Sequence, residues 1–172
     1  MEKRNPAGKT IAVSDGAKRE NYLLKRILEE CGRGGFNVLP ESRVPAAGGA
    51  AVLLAPDAAG RPGSSRFQAR VARYSPEEKP DPGVSGNTVT YSTQWNGADF
   101  TARNIRPTES GLVSFEIVGV GIIGRVRLKT RSPGDVEPAL AAAAAAIAAG
   151  VPFAEALDAL NRLDLTVPGA VQ

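Results

Sequence analysis

The feature that most constrains this fold is an alanine-rich stretch near the end of the chain. Every residue from 139 to 149 is Ala, Leu or Ile, which gives high helix propensity and lets neighbouring backbones approach closely. Asp135 precedes the run and is a good N-cap, because its carboxylate can accept hydrogen bonds from first-turn amides. Gly150 favours the end of this helix and Pro152 the start of a second one. Residues 132–172 are therefore predicted to form a helical hairpin and a tail.

Short apolar runs in the N-terminal part of the chain predict a parallel sheet. Residues 10–14 are typical of a buried parallel strand. A turn, an amphipathic helix and a second apolar run at residues 36–39 follow, and strand, helix and strand with short links make a βαβ unit. A third strand is expected at residues 50–55. Residues 10–56 are thus assigned to the βαβ part of the fold.

After residue 56 the sequence pattern changes twice. Residues 57–86 are rich in Pro, Gly and charge, which predicts a loop-rich surface segment, with a helix as one option at residues 65–74. Residues 87–131 contain four alternating stretches that predict an antiparallel β-meander. These stretches are residues 88–92, 99–105, 112–118 and 122–129, and Asn96-Gly97 is read as the first of the turns between them.

Together these patterns predict one α/β domain over residues 1–172. It has a short, mostly parallel, P-loop-like sheet with flanking helices, followed by the antiparallel meander, and the C-terminal helical hairpin closes it. A chain of this length can bury ~70% of its unfolded surface, so it needs no metal or disulfide to fold.

The composition excludes several kinds of chemistry. There is no histidine, which excludes Ser-His-Asp and Cys-His catalysis and histidine-bearing zinc sites. The single cysteine, Cys31, excludes an internal disulfide and fits a reducing compartment. No secretory signal is recognisable, and no apolar run reaches the ~20 residues of a membrane span. We therefore expect a cytoplasmic protein without a membrane segment, and the sequence identifies no catalytic residue and no metal site.

One stretch of the predicted meander carries a run of positive charge. In residues 122–129 apolar and basic residues alternate, so one face is predicted to be buried and the other wet. The basic side chains able to hold an anionic partner are Arg103, Arg125, Arg127 and Lys129. The alternative is a solvated sheet face that only improves solubility. Nucleic acid is the less expected anion, because base-stacking aromatics do not interleave and the net charge is only +3.

Three segments of the sequence resemble the central, ATP-binding domain of the Mur ligase family. They are ADFTARNIRPTESGLVSFEI, GDVEPALAAAAAAIAAGV and the ending VPGAVQ. Mur ligases join amino acids to cell-wall precursors through an acyl-phosphate. The resemblance therefore implies an α/β fold, binding of ATP and magnesium, and a role in peptidoglycan synthesis.

The phosphate-binding loop of that family has a changed counterpart here. In the family, strand one runs into a loop of G-T-N-G-K-T-T type, whose amides cradle the phosphates and whose hydroxyl holds magnesium. Here Gly16 and Lys18 match the family. Ala17 stands in place of a glycine, and Arg19 and Glu20 stand in place of the hydroxyl residues.

Other nucleotide contacts of the family are changed as well. The two asparagines near the alanine run fall on Asp135 and Pro138, and the closing arginine falls on Ala170. By resemblance, what remains of a nucleotide site comprises Gly16, Lys18 and Asp135. We expect no cofactor, with ATP and magnesium bound only if this altered site still accepts them.

Three functions remain open from the sequence. The first is a degenerate Mur-ligase-like domain without ligase activity, which acts as a binding or regulatory partner of an intact Mur-type ligase or of a second copy of itself. The second is a residual ATP-dependent amide ligase component that a partner completes. The third is a module for anionic ligands or nucleic acid. Its residues would be Arg103, Arg106, Arg125, Arg127, Lys129 and Arg131.

Overall fold

The fold is built on a single sheet that runs through most of the chain. The computed structural model describes residues 9–32, 35–44, 50–57, 67–76 and 87–166. Within these residues eight strands form one sheet: β1 (Lys9–Val13), β2 (Phe36–Pro40), β3 (Ala50–Leu54), β4 (Phe67–Arg73), β5 (Asn87–Ser92), β6 (Phe100–Pro107), β7 (Val113–Gly119) and β8 (Ile122–Leu128). Three α-helices accompany them, α1 (Lys18–Glu30), α2 (Val136–Ala148) and α3 (Phe153–Arg162).

The strand order is β2-β1-β3-β4-β5-β6-β7-β8. Neighbouring strands from β2 to β6 are parallel, whereas β6, β7 and β8 pair antiparallel. This arrangement confirms the predicted fold class of a mostly parallel sheet that continues into antiparallel strands and is closed by a helical hairpin.

Strand β4 corrects the helix that was one option at residues 65–74 of the predicted loop-rich segment 57–86. Residues 58–66 and 77–86 of that segment lie outside the described residues. Phe67–Arg73 is instead a strand in the middle of the sheet, paired with β3 and β5. Val71 and Ala72 are both buried, so each face of this strand is covered. The Ala, Gln and Arg residues of the segment have little intrinsic strand preference, and the position inside the sheet outweighs it.

Strand β5 corrects the prediction of a four-stranded meander over residues 87–131. Asn87–Ser92 pairs parallel with both β4 and β6, so the meander contains only β6, β7 and β8. Asn96-Gly97 is therefore not a hairpin turn, because it lies in the connection between two parallel strands. Alternation identified the strand but carries no information about the direction of its neighbours.

The three α-helices pack together on one face of the sheet and share its main core. Helix α2 lies at the centre, and the side chains from Ala139 to Ala146 are almost completely buried. Helix α2 contacts strands β3 to β6 as well as α1 and α3. The small alanine side chains allow these elements to approach its backbone closely. Gly150, at φ +115°, follows the end of α2 as predicted. None of the described helices is long and apolar enough to cross a membrane.

Helix α3 closes the other end of this face by packing on β8. Gly124 lies directly under it, and a Cβ atom at that position would come within 2.0 Å of Leu157 Cδ2. The close approach explains why glycine occurs inside this strand.

Candidate functional site

The candidate site lies at the carboxyl edge of the parallel strands, where β1 leads into α1. Helix α2 begins at the same edge, because Asp135 just before it contacts Arg19 in the first turn of α1. In open α/β sheets this edge is where ligands generally bind. It also contains Gly16, Lys18 and Asp135, the residues that the resemblance assigned to a nucleotide site.

The loop between β1 and α1 is a tight turn, and two of its amides are hydrogen-bonded inside the protein. Ser14 N–H donates to Leu54 O at 2.9 Å, and Ala17 N–H donates to Ser14 O at 2.9 Å. No residue from 14 to 18 has a positive φ, and a Cβ at Gly16 would meet no atom within 4 Å. Gly16 is therefore not required by the backbone conformation, and the Ser14 and Ala17 amides are not available to a phosphate.

Asp15 gives this loop a negative charge. Its carboxylate accepts a hydrogen bond from Ser42 N–H at 3.3 Å. The hydrogen bond from the Ser42 hydroxyl, this backbone bond and the nearby Arg43 charge together lower the pKa of Asp15 below its ordinary value. An ionised carboxylate at this point repels a phosphate group.

Arg19 and Asp135 form an ion pair that joins the starts of α1 and α2. Arg19 Nε and Nη2 donate to the two carboxylate oxygens of Asp135, each at 3.1 Å. The Thr130 hydroxyl donates to the same carboxylate at 2.5 Å, and the guanidinium carbon lies 5.5 Å from the Tyr22 ring centroid. This fork geometry is the strong, bidentate form of an arginine–carboxylate pair.

The ion pair also corrects the prediction that Asp135 is an N-cap. Asp135 has helical backbone angles, φ −78° and ψ −12°, and makes no side-chain cap hydrogen bond. A capping residue needs an extended backbone to turn its oxygen toward the first-turn amides. The short 3₁₀ turn Pro133–Asp135 removes that option, and the carboxylate turns toward Arg19 instead.

Arg73 holds a second group of charges at the same edge. It donates to Glu137 Oε1 at 2.6 Å and to Asp57 Oδ1 at 3.0 Å, which links the ends of β3 and β4 to the first turn of α2. Burial alone would lower the pKa of Arg73, but the hydrogen bond to Glu137 and the charges of Glu137 and Asp57 raise it. The guanidinium therefore stays charged and bound.

The hydroxyl of Tyr91 lies beneath this second group. The Tyr91 side chain is completely buried, and its hydroxyl has no hydrogen-bond partner among the residues that the structure describes. Burial raises the pKa of this phenol above its ordinary value of 10.0. Tyr91 is therefore a neutral group at physiological pH and contributes packing rather than charge.

The structure separates the predicted site residues into two regions. Gly16, Lys18 and Asp135 lie at the carboxyl edge, where Lys18 is the exposed first residue of α1. The other group, Arg103, Arg125, Arg127 and Lys129, is exposed on the β6–β8 part of the sheet. Strand pairing places Arg103 and Arg125 on either side of Glu116, on the face opposite the helices.

Sequence reasoning missed Arg73, Glu137 and Tyr91. Arg73 was assigned to a segment expected to form loops or a helix, so its place at the strand ends was not visible. The signal that could have revealed it is the period-two alternation of Phe67, Ala69 and Val71.

The residues at the carboxyl edge do not fit a bound magnesium nucleotide. Two of the loop amides are hydrogen-bonded internally, and the lowered pKa of Asp15 keeps a negative charge beside them. The resemblance implies a magnesium-holding hydroxyl at the position of Arg19. In the described part of the chain, no three His, Cys, Asp or Glu side chains are grouped as metal ligands.

The strands and helices define an open α/β domain whose mostly parallel sheet is extended by antiparallel strands. Among solved structures it is similar to a MurF ligase from Thermotoga maritima in complex with ADP, with TM-score 0.66 and 16% identity over 95% of this chain and 50% of that one. A murein peptide ligase from Psychrobacter arcticus gives TM-score 0.65 at 16% identity, over 91% and 47%.

A third similar structure is the UDP-N-acetylmuramoylalanyl-D-glutamyl-2,6-diaminopimelate–D-alanyl-D-alanyl ligase from Acinetobacter baumannii, with TM-score 0.62 and 18% identity over 94% of this chain and 47% of that one. The chain thus spans about half the length of these ligases. No protein-family model and no curated protein sequence matches it. The similarity confirms the Mur ligase fold that the sequence predicted.

Proposed function

We propose that this chain is a Mur-ligase-like domain without ligase activity, which acts as a binding or regulatory partner in cell-wall precursor synthesis. The observation that carries the proposal is the Arg19–Asp135 ion pair. By resemblance, these two positions hold a magnesium-binding hydroxyl and a nucleotide-binding asparagine in the ligases. Here the two replacements bind each other.

The other charged groups at this edge support the same proposal. Arg73 is neutralised by Glu137 and Asp57, and Asp15 is bound to the turn that contains Ser42. A nucleotide that binds Arg19 would have to displace Asp135, and breaking this part-buried pair leaves a charge without its partner. Internal pairing therefore substitutes for the ligand.

The link to cell-wall synthesis rests on the fold shared with the ligases named above. We propose an intact Mur-type ligase, or a second copy of this chain, as the partner. A cytoplasmic location fits the single cysteine, because cytoplasmic proteins keep their thiols reduced. The Cys31 thiol donates a hydrogen bond to the Glu155 carbonyl oxygen at 3.5 Å.

Nucleotide-dependent stabilisation tests the loss of the ATP site. A ligand at 100 times its Kd stabilises a folded protein by about 2.7 kcal/mol, which for a chain of this length raises the Tm by several degrees. We expect no change in Tm with millimolar ATP and magnesium. An intact Mur ligase in the same buffer is the positive control, and a saturable rise in Tm would contradict the proposal.

A residual ligase component completed by a partner remains the second candidate, and one observation favours it. Lys18 is exposed at the first residue of α1, where a lysine can contact phosphate without further support. In that case ATP should raise the Tm when an intact ligase is present, and Lys18→Ala should abolish the rise. No rise in either mixture rejects this candidate.

A further inference from the structure

The outward face of β6, β7 and β8 carries two lines of arginine on either side of a central strand. Residues directly opposed in antiparallel strands share a face. One row contains Arg103, Glu116 and Arg125, and the next contains Arg106, Ser114 and Arg127. Because Phe115 and Ile117 point into the core, the rows point away from the helices. We call the four arginines the arginine rails.

A β-bulge is what brings both arginines of β6 to this face. Residues three apart in a regular strand point to opposite faces, yet Arg103 opposes Glu116 and Arg106 opposes Ser114, only two residues away. The register shifts between them, and Asn104 has φ +54°. Bulges often re-aim side chains at binding sites. Here the bulge places Arg106 on the same face as Arg103, so that β6 presents two arginines, as β8 does.

Positive charge on this face is only partly balanced. Within the described residues no ion pair involves the four arginines. Glu116 is the acid between them, and its carboxylate accepts a hydrogen bond from Asn104 Nδ2 at 2.5 Å. The row through Ser114 has a hydroxyl between its two guanidinium groups, so it is the more favourable place for an anion.

The face changes from basic to apolar along the strands. Past Glu116, toward the β7–β8 turn, the next row contains Val118 opposite Ile123. Ile123 is 60% exposed. The adjoining β7–β8 turn exposes Val120 almost fully. Exposed branched apolar side chains beside a basic patch are typical of a protein-binding surface.

We propose that the arginine rails bind an extended acidic segment of a partner protein that lies along β7. Its carboxylates contact the rails around Ser114, and its apolar residues pack toward Val118 and Ile123. This inference rests on the proposed function as a binding partner, and it specifies the surface and the chemistry of what is bound.

The spacing of the rails matches an extended peptide. Arg125 and Arg127 are two residues apart in one strand, about 7 Å, which is the repeat of side chains on one side of an extended chain. Successive side chains of such a segment alternate between the two rails. Nucleic acid fits less well, because the rows hold no aromatic side chain on which bases could stack.

Fluorescence anisotropy with a labelled peptide tests the proposal on the full chain. The probe is a peptide of about eight residues, within the usual length of a strand, with consecutive Glu residues in one half and Val and Ile in the other. We expect the double variant Arg106→Gln/Arg127→Gln to weaken binding at least about tenfold. Glu116→Gln should strengthen binding, since it removes the repelling charge, and misfolding cannot produce a gain.

The matched control is Lys25→Gln/Arg43→Gln, which removes the same charge from exposed positions near α1 and should leave affinity within about twofold. Equal loss in this control, no saturable binding of the peptide, or tighter binding of a single- or double-stranded oligonucleotide would overturn the proposal. The ATP titration does not depend on peptide binding. A negative result with the peptide would therefore reject the proposed peptide surface and leave the proposed loss of the nucleotide site untouched.

Discussion

The Arg19–Asp135 ion pair makes a quantitative prediction about stability. Asp135 accepts two hydrogen bonds from Arg19 and one from Thr130. The Arg19 and Asp135 side chains are 24% and 14% exposed. The pair therefore lies between an exposed pair, worth ~0–1 kcal/mol, and a fully buried pair, whose disruption costs ~3–5 kcal/mol.

From this position we expect Asp135→Ala to lower the free energy of unfolding by about 2–3 kcal/mol, since it also orphans Thr130. Arg19→Ala should cost about 2 kcal/mol, and a double-mutant cycle should give a coupling energy of about 1.5 kcal/mol. The corresponding fall in Tm for Asp135→Ala is about 5–10 °C in a chain of this length.

Urea denaturation followed by circular dichroism measures these values. Asp158→Ala is the control, because Asp158 is exposed on α3, and a surface change of this kind should stay within ~0.5 kcal/mol. A coupling energy below about 0.5 kcal/mol would show that the two residues are merely neighbours, and the argument for internal replacement of the ligand would then fail.

Three further predictions concern single residues. Tyr91→Phe removes a buried hydroxyl with no described partner, so denaturation should show a free energy of unfolding that is equal or higher. Above about pH 10, Tyr91 ionises in the unfolded chain but not in the folded one, which lowers the free energy of unfolding. This fall should be smaller in Tyr91→Phe. Gly124→Ala forces a clash with Leu157 and should cost about 1–3 kcal/mol by the same assay. Ser42→Ala should raise the pKa of Asp15 toward 3.8, as measured by carboxylate NMR titration.

Gly16→Ala meets no atom and should be near neutral, so equal costs at Gly16 and Gly124 would refute the close packing of α3. A marked loss of stability in Tyr91→Phe would mean that its hydroxyl is hydrogen-bonded. An unchanged Asp15 pKa in Ser42→Ala would contradict the hydrogen bond from the Ser42 hydroxyl. The stabilisation that this contact gives is present above the pKa of Asp15 in the unfolded chain and is lost as the pH falls through its lower pKa in the folded protein.

Local physics was enough to predict the helical hairpin and most strands. The alanine run of α2 and the positive-φ Gly150 specify their structure from a few neighbouring residues, as do the apolar runs of β1 and β2. The strand Phe67–Arg73 was missed because its residues favour strand only when both faces are covered. That cover comes from residues distant in the sequence.

Strand direction and side-chain pairing were beyond the sequence for the same reason. The parallel pairing of β5 depends on which strands lie beside it, and period-two alternation is the same for either direction. Asp135 was read as a cap from its neighbours, whereas Arg19, its actual partner, is 116 residues away. The altered positions were visible in the sequence; that two of them bind each other was not.

Direct titration with ATP and magnesium tests the central claim, that internal ion pairs have replaced the nucleotide at the carboxyl edge. Equilibrium dialysis of the full chain against labelled ATP should show no saturable binding up to millimolar concentration, a Kd limit equivalent to about −4 kcal/mol. Saturable binding of one ATP per chain that is lost in Lys18→Ala would contradict the account.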